Sequence, residues 1–207
     1  MQRYFITGIG TEVGKTLASA IVVEALEADY WKPIQAGDLL FTDTDKVKDL
    51  VLNSKTKYHP NAFLLETPMS PHAAAAIEGI KIEAKVIKTP LVSNKKLVVE
   101  GAGGVLVPIN NKETILDLIE LTDKVILVSR HYLGSINHTL LSIEVLKNRG
   151  FKNIGILFNG EAHSTTETII KTMAGVTILG RIDNLPRISP EDISNQAEKL
   201  RSALLAF

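Results

Sequence analysis

The chain has 207 residues, 45% of them hydrophobic and 22% charged, which is enough for one large α/β domain of ordinary globular composition. Basic and acidic residues number 23 each, so the charge balance gives no reason to expect nucleic acid or a membrane surface as a partner. Because the chain contains no cysteine, disulfides, thiolate metal sites and a cysteine nucleophile are excluded.

Strand-like and helix-like segments alternate along the chain. Short apolar runs predict strands at residues 4–7, 30–32, 96–99, 125–129, 154–158 and 176–179. Amphipathic or capped segments predict helices at residues 15–28, 42–53, 113–121, 135–149, 165–173 and 190–206. The stretch 54–90 contains four prolines, and we expect it to hold loops and one helix after Pro71.

This alternation predicts a single α/β domain over residues 1–207, with a mostly parallel β-sheet and helices on both faces. In such folds ligands bind outside the carboxyl ends of the strands. Four glycine-rich or polar segments follow predicted strands: GIGTEVGKT, KPIQAG, EGAGG and the pair Asn159 and Gly160. We therefore expect these segments to converge on one crevice.

The amino-terminal segment, MQRYFITGIGTEVGKT, lacks the long apolar core of a signal peptide. No apolar run approaches the ~20 residues of a membrane span. We therefore expect a cytoplasmic protein without a membrane partner.

The segment GIGTEVGKT, residues 8–16, is typical of a phosphate-binding loop. Gly14, Lys15 and Thr16 open a predicted helix, whose free N–H groups and dipole favour phosphate. We expect Lys15 to reach the outer phosphates and the Thr16 hydroxyl to bind Mg²⁺. Five residues separate Gly8 from Gly14, one more than in the common pattern.

Two further segments bring charged side chains to the same edge. Glu100 ends a buried strand, where a carboxylate is costly without a charge partner, and it fits a Mg²⁺ ligand opposite Thr16. Lys32 ends the second strand in WKPIQAG and could stabilise the charge that develops during phosphoryl transfer. A lone Lys32 would be a surface lysine, but its proline and glycine setting favours the functional interpretation.

Two other polar segments are ambiguous from position alone. Asp43 and Asp45 lie near a helix start, where either could cap the helix or bind Mg²⁺. The turn at residues 134–137 opens a helix whose free N–H groups suit an anion. We interpret His131 and His138 as solvated or hydrogen-bonded, because their spacing matches no metal site.

The motifs GTEVGKT, KPIQAG, MSPH, VEGAGG and LGSINHTLLS stand in the order seen in the dethiobiotin synthetase family, which the chain resembles over essentially its whole length. The resemblance implies a P-loop NTPase fold, ATP as co-substrate, Mg²⁺ and a homodimer. It also implies a ligase of biotin biosynthesis, which closes a cyclic urea from 7,8-diaminononanoate and CO₂ and releases ADP and phosphate. In that reaction the substrate carbamate attacks the γ-phosphate, which explains why no enzymatic nucleophile is visible.

The resemblance also implies residue roles. Lys32 and Lys15 are the implied catalytic residues, and Thr16, Asp45 and Glu100 are the implied Mg²⁺ ligands. Asp45 is preferred to Asp43 because the family places its aspartate after Ser or Thr and shortly before a leucine-rich helix. The implied nucleotide-binding residues are Glu12, Val13, Gly14, Lys15, Thr16, Leu17, Asp45, Glu100, Gly101, Ala102, Gly103, Asn159, Gly160, Asp183, Asn184 and Leu185. The implied substrate-binding residues are Thr11, Lys32, Ala36 and, from a turn that reaches into the neighbouring site, Gly134, Ser135, Ile136 and Asn137.

The chain departs from the family pattern at three positions, one of which, Ala36, replaces a residue that contacts the substrate in the family. Gly10 stands where the family has an aspartate, Ala36 stands where it has Ser or Thr, and a tyrosine expected near Thr168 is absent. The Ala36 departure predicts a changed affinity or pose of the diamine, and the departures together leave open a changed substrate or a weak enzyme.

Three other functions stay open at this point. A partitioning-type switch ATPase would carry an early P-loop lysine, which residues 8–10 lack. A related amidoligase would need a glutamine amidotransferase domain with a cysteine nucleophile. A regulatory nucleotide-binding module would be distinguished by the absence of product formation.

Overall fold

A computed structural model describes residues 1–185 and 187–207 of the chain. The strands are β1 (Gln2–Gly8), β2 (Asp29–Trp31), β3 (Ile34–Ala36), β4 (Tyr58–His59), β5 (Phe63–Leu65), β6 (Lys96–Gly104), β7 (Lys124–Arg130), β8 (Ile154–Asn159) and β9 (Thr177–Ile182). The α-helices are α1 (Lys15–Leu26), α2 (Asp43–Leu50), α3 (Pro71–Ile77), α4 (Ser135–Asn148), α5 (Ser164–Ala174) and α6 (Pro190–Ala206).

The main sheet has seven strands in the order β4-β2-β6-β1-β7-β8-β9, and every pairing in it is parallel. A second, two-stranded parallel sheet is formed by β3 and β5. The predicted mostly parallel α/β fold is therefore confirmed. Parallel pairing places the carboxyl ends of β1, β2, β6 and β8 at one edge, where the predicted functional segments follow.

The core has two parts because alternate residues of a strand face opposite sides of the sheet. In β1, Tyr4 and Ile6 belong to one apolar cluster, which packs against α1, α5 and α6. Phe5 belongs to the other cluster, which contains α3, the β3–β5 sheet and the Leu146 side of α4. Helices therefore cover both faces, as predicted.

Helix ends follow local sequence signals. Thr42 and Asp45 form a capping box at the start of α2, and Ser189 and Asp192 form another at the start of α6. Pro190 occupies the first helical position of α6, where its missing N–H costs nothing. Among the described helices, none is both long and apolar enough to cross a bilayer.

The predicted helix at residues 113–121 is wrong. Only a 3-10 turn forms there, at Ile115–Leu118. The backbone N–H groups of Ile115 and Leu116 donate to the carbonyls of Val107 and Val105, at 2.9 Å each. These bonds hold the segment against the preceding loop and leave no continuous helical ladder.

The short strands β3, β4 and β5 were not predicted. Each has two or three residues, too few for a periodic pattern. They form through distant pairing, for example between Tyr58 and Tyr30 and between Phe63 and Ile34. The helix predicted after Pro71 is confirmed as α3.

Candidate functional site

The loop between β1 and α1 curls around its own lysine. Gly14 caps α1 with φ of 93°, a left-handed conformation that favours glycine. Lys15 is buried, and its Nζ donates to the Gly10 carbonyl at 2.8 Å. Burial lowers the pKa of Lys15 to about 8, although the nearby charge of Glu100 opposes this shift. The lysine is therefore held inside the loop, where a phosphate would sit.

Glu100 lies at the centre of the site and is 1% exposed. Its Oε1 accepts from Thr16 Oγ1 at 3.0 Å and from Lys32 Nζ at 2.9 Å. Its Oε2 accepts from the Tyr30 hydroxyl at 2.9 Å. The charge partner that a buried carboxylate needs is therefore Lys32, and α1 and β2 supply the other donors.

Lys32 is 5% exposed and joins two carboxylates, because its ammonium also pairs with Asp43. Burial by itself would lower the pKa of Lys32, but the charges of Glu100 and Asp43 outweigh burial and raise that pKa. The lysine therefore stays positively charged at neutral pH.

The structure separates Asp43 from Asp45. The Asp45 carboxylate accepts from the backbone N–H of Thr42 at 2.8 Å and from the Thr42 hydroxyl at 2.6 Å, so it caps α2. Asp43, the first residue of α2, contacts Lys32 instead. One oxygen of Asp45 is therefore engaged in the cap, whereas Asp43 faces Lys32, and the choice of Asp45 as a metal ligand stays a prediction.

The oxygen atoms of Thr16, Asp43 and Glu100 form a donor set that fits Mg²⁺. Mg²⁺ prefers hard oxygen ligands and binds proteins through one or two carboxylates, with phosphates and water completing its shell. In the residues that the structure describes, no cluster of three His, Cys, Asp or Glu side chains forms a closed metal site. A set with two carboxylates and one hydroxyl leaves coordination positions for the phosphate oxygens of a nucleotide and for water.

A second group of residues lies at the end of β8. The Asn159 Nδ2 donates to the Val13 carbonyl at 2.9 Å and so links this strand to the P-loop. A Cβ on Gly14 would lie 2.1 Å from the same nitrogen, so any other residue would displace the Asn159 side chain. The next residue, Gly160, donates its N–H to the Ile182 carbonyl at 2.9 Å.

The loop after β9 is partly fixed to α6. The Asp183 carboxylate accepts from Lys199 at 2.7 Å and from Gln196 at 3.0 Å. Asn184 is exposed and Leu185 is half-buried. The carboxylate of Asp183 is thus used within the protein, whereas Asn184 is open to solvent.

The glycines after Glu100 have different surroundings. A Cβ on Gly101 would lie 3.0 Å from Phe5 and 3.1 Å from Ile115, so this glycine serves core packing. A Cβ on Gly104 would lie 3.2 Å from the Gly8 carbonyl, so the end of β6 approaches the P-loop closely. Of the other predicted nucleotide-binding residues, Glu12 is exposed, and Leu17, Ala102 and Gly103 are half-buried.

An open groove of about 390 Å³ lies beside the P-loop. It is lined by Ile9, Gly10, Thr11, Gly104, Val105, Leu106, Val107, Pro108, His138, Leu141, Ser142 and Val145. A larger groove of about 510 Å³, between α3 and residues 109–113, shares no lining residue with the P-loop. The smaller groove is therefore the one that adjoins the phosphate-binding residues.

Several predicted substrate residues lie outside this groove. Gly134 caps α4, and Ser135, Ile136 and Asn137 form its first turn, whereas the groove begins at His138. Ala36 ends β3 and lines neither groove. The structure thus brings Thr11 and Gly10 to the groove but not Ala36 or the turn at Gly134.

Sequence reasoning did not single out two residues that shape the site. Tyr30 bonds to Glu100, and it lies two residues before Lys32, a spacing that puts both side chains on one side of an extended chain. Gln35 is buried, accepts from the Asp43 backbone N–H at 3.3 Å and donates to the Gly37 carbonyl at 2.9 Å. The period-two spacing from Lys32 was the signal that could have identified Tyr30.

The chain is similar to known proteins in both sequence and fold. Residues 2–192 match the family model described as "AAA domain". Over 203 residues, 98% of each chain, it is 61% identical to the "ATP-dependent dethiobiotin synthetase BioD" of Christiangramia forsetii. It is 46% identical to the protein of the same name from Cytophaga hutchinsonii, over 97% of each chain.

Solved structures agree with the fold. A ParA family ATPase from Chlorobium tepidum matches with a TM-score of 0.53 and 15% identity, over 99% of this chain and 96% of that one. A putative plasmid partition protein from Borrelia burgdorferi, bound to AMPPNP, matches with a TM-score of 0.56 and 12% identity, over 99% of this chain and 97% of that one. At these identities the likeness concerns the fold alone. The sequence identities decide the family: the chain belongs to the ATP-dependent dethiobiotin synthetases.

Proposed function

We propose that the chain converts 7,8-diaminononanoate, CO₂ and ATP into dethiobiotin, ADP and phosphate. The observation that carries this proposal is the buried cluster in which Thr16, Lys32 and Tyr30 converge on Glu100 beside the P-loop, in a chain of this family. The cluster supplies positive charge and fixed donors but no nucleophile, which suits a reaction whose nucleophile is the substrate carbamate.

Lys15 and Lys32 have distinct parts in this proposal. Lys15 lies in the P-loop at the amino end of α1, where it binds the outer phosphates of ATP together with the loop N–H groups. Lys32 is held in a fixed position by two carboxylates and orients the carbamate against the γ-phosphate. Fixed charges of this kind stabilise a transition state without reorganisation.

The residues proposed to hold Mg²⁺ are Thr16, Asp43 and Glu100. When bound, the ion would neutralise charge on the phosphate oxygens. The support is the donor chemistry of these three side chains and the contacts that join Lys32 to both carboxylates.

Asn159 and Gly160 are proposed to receive the adenine base. Because the Asn159 Nδ2 donates to Val13, its Oδ1 remains available to accept from an exocyclic amino group. Asn184 and Leu185 complete the base side of the site in this proposal.

The groove beside the P-loop is proposed to hold the diamine in a homodimer. The supporting observations are its mixed apolar and polar lining and the exposed apolar side chains of Leu106 and Leu141 in that lining. In this proposal a second copy covers these leucines, and its turn at Gly134 reaches the neighbouring groove. Light scattering should give twice the chain mass, and a monomer at assay concentration would contradict this part of the proposal. A single domain and a cytoplasmic location remain predictions.

The reaction itself is tested with purified protein, diamine, bicarbonate, ATP and Mg²⁺. We expect phosphate release that depends on the diamine, with dethiobiotin detected by mass spectrometry. If saturating diamine does not stimulate phosphate release, the proposed reaction is wrong and a regulatory nucleotide-binding role is favoured.

A further inference from the structure

Beyond the residues with proposed roles, one ionic network surrounds the base end of the nucleotide site. Its centre is Glu167, in the first turn of α5. One oxygen of this carboxylate, Oε1, accepts from His131 Nε2 at 2.9 Å, from the backbone N–H of His163 at 3.0 Å and from the Arg181 guanidinium. These donors come from the end of β7, the start of α5 and β9, so Glu167 ties three elements together.

Arg181 connects this network to the turn that follows Asn159. Its Nη1 donates to the carbonyl of Gly160 at 3.2 Å and to the carbonyl of Glu161 at 3.0 Å. Its guanidinium lies over the ring of Phe158, 5.8 Å from the centroid, and Phe158 immediately precedes Asn159. A single side chain therefore contacts the residues on both sides of Asn159.

The arrangement depends on the shape of arginine. Its planar fork can donate to two backbone carbonyls and to a carboxylate at once, whereas a lysine ammonium is a single compact charge. Burial by itself would raise the pKa of Glu167, but the hydrogen bonds from His163, Arg181 and His131 lower it. Glu167 therefore stays ionised and keeps the guanidinium in place.

We propose that Arg181, held by Glu167, is a positioning residue that fixes the turn at Gly160 and Glu161 and thereby the nucleotide base. This inference rests on the proposed nucleotide site. Arg181 acts through backbone carbonyls, so it sets the affinity for the base without taking part in the phosphate chemistry. Its effect is restricted to ligands that carry a base.

The experiment compares two ligands in the full chain without diamine. The affinity of a non-hydrolysable ATP analogue reports both the phosphate and the base contacts, and that of inorganic triphosphate reports the phosphate contacts alone. We expect Arg181→Lys to weaken binding of the analogue about fivefold to tenfold, the effect of losing one or two hydrogen bonds. Triphosphate binding should stay within about twofold of the wild type.

A second test variant, Glu167→Gln, and a control variant, Arg149→Lys, complete the binding experiment. Glu167→Gln keeps the side-chain shape but removes the charge that holds Arg181. It should therefore weaken binding of the ATP analogue and leave binding of triphosphate unchanged. Arg149→Lys, an exposed arginine at the carboxyl end of α4, should change neither affinity.

The inference is overturned if Arg181→Lys and Glu167→Gln leave the analogue affinity unchanged. It is also overturned if the two substitutions weaken the binding of the analogue and the binding of triphosphate equally, because that would indicate a general disturbance of the site. Since the measurement needs no turnover, it is independent of the diamine reaction: inactive wild-type protein would contradict the proposed function but not this inference.

Discussion

The Lys32 ammonium lies 2.9 Å from the Glu100 Oε1, and both side chains are almost wholly buried. The pair connects the end of β2 to β6, and Asp43 extends it to α2. Two carboxylates and one lysine therefore form a compact charged centre beside the P-loop.

Replacement of Lys32 by methionine should abolish turnover. The substitution preserves side-chain length but leaves Glu100 and Asp43 without their shared counter-charge, so we expect a rate loss of at least about 100-fold. The melting temperature should also fall, because breaking a buried ion pair costs about 3–5 kcal/mol. Lys48→Met, on the exposed side of α2, is the matched control. A wild-type rate in Lys32→Met would refute the role of this lysine.

Alanine at Asp43 should change the Mg²⁺ requirement, whereas alanine at Asp45 should change stability. Asp43→Ala removes a proposed Mg²⁺ ligand, and we expect the Mg²⁺ concentration for half-maximal activity to rise by about tenfold or more. Asp45→Ala removes a helix cap, so stability should fall by about 1 kcal/mol while the Mg²⁺ requirement stays unchanged. A raised Mg²⁺ requirement in Asp45→Ala alone would restore Asp45 as the ligand.

Nucleotide affinity should depend on the protonation of Lys15. In the free protein burial lowers the pKa of Lys15 to about 8, and a bound phosphate favours the protonated form and raises that pKa. Affinity should therefore be constant below this pKa and weaken by up to about tenfold per pH unit above it, until the pKa of the complex is reached. Binding of an ATP analogue from about pH 7.5 to 9.5 tests this. Lys15→Arg, which stays charged, should show a flat profile, and a flat wild-type profile would contradict the prediction.

Gly14→Ala should abolish nucleotide binding. Its Cβ would combine a left-handed φ of 93° with a 2.1 Å approach to Asn159 Nδ2, so the Asn159 side chain would have to leave its hydrogen bond with Val13, or the P-loop would have to move away from β8. Gly175→Ala is the control, because Gly175 also has positive φ, 56°, but its Cβ would meet only the flexible end of Lys147, at 3.6 Å. The control should lose about 1 kcal/mol of stability and bind nucleotide normally. Equal binding by the two variants would disprove the steric argument.

Gly10→Asp should lower the KM for the diamine. Gly10 lines the groove, and the nearest atom to a Cβ there is the Tyr132 hydroxyl, at 4.0 Å, so a side chain fits. A carboxylate at this position would stabilise a bound substrate ammonium group by about 1 kcal/mol, which raises the affinity for the diamine roughly fivefold. Gly10→Asn has the same size without the charge and should leave KM unchanged. If both variants have the same KM, charge at this position does not govern diamine binding.

Much of the fold was predictable because its signals are local. The strand–loop–helix pattern around the GKT motif and the apolar runs of β7 and β8 needed only neighbouring residues, and both were predicted correctly. The helix predicted over residues 113–121 failed because Ile115 and Leu116 are held by the loop at residues 105–107. The strands β3, β4 and β5 were missed because each has only two or three residues, too few to show a periodic pattern.

In the candidate site, too, features with local signals were predictable and contacts between distant segments were not. The phosphate-binding loop, the second lysine after β2 and the carboxylate on β6 could be identified from the amino-acid pattern, because each is a residue type at a fixed offset from a strand end. Contacts between distant segments became visible only in the folded chain: Asp43 rather than Asp45 meets Lys32, Tyr30 bonds to Glu100, and Glu167 and Arg181 hold the turn beside Asn159. Hydrogen bonds between distant segments depend on side-chain direction and distance to within an ångström, and a linear pattern contains neither.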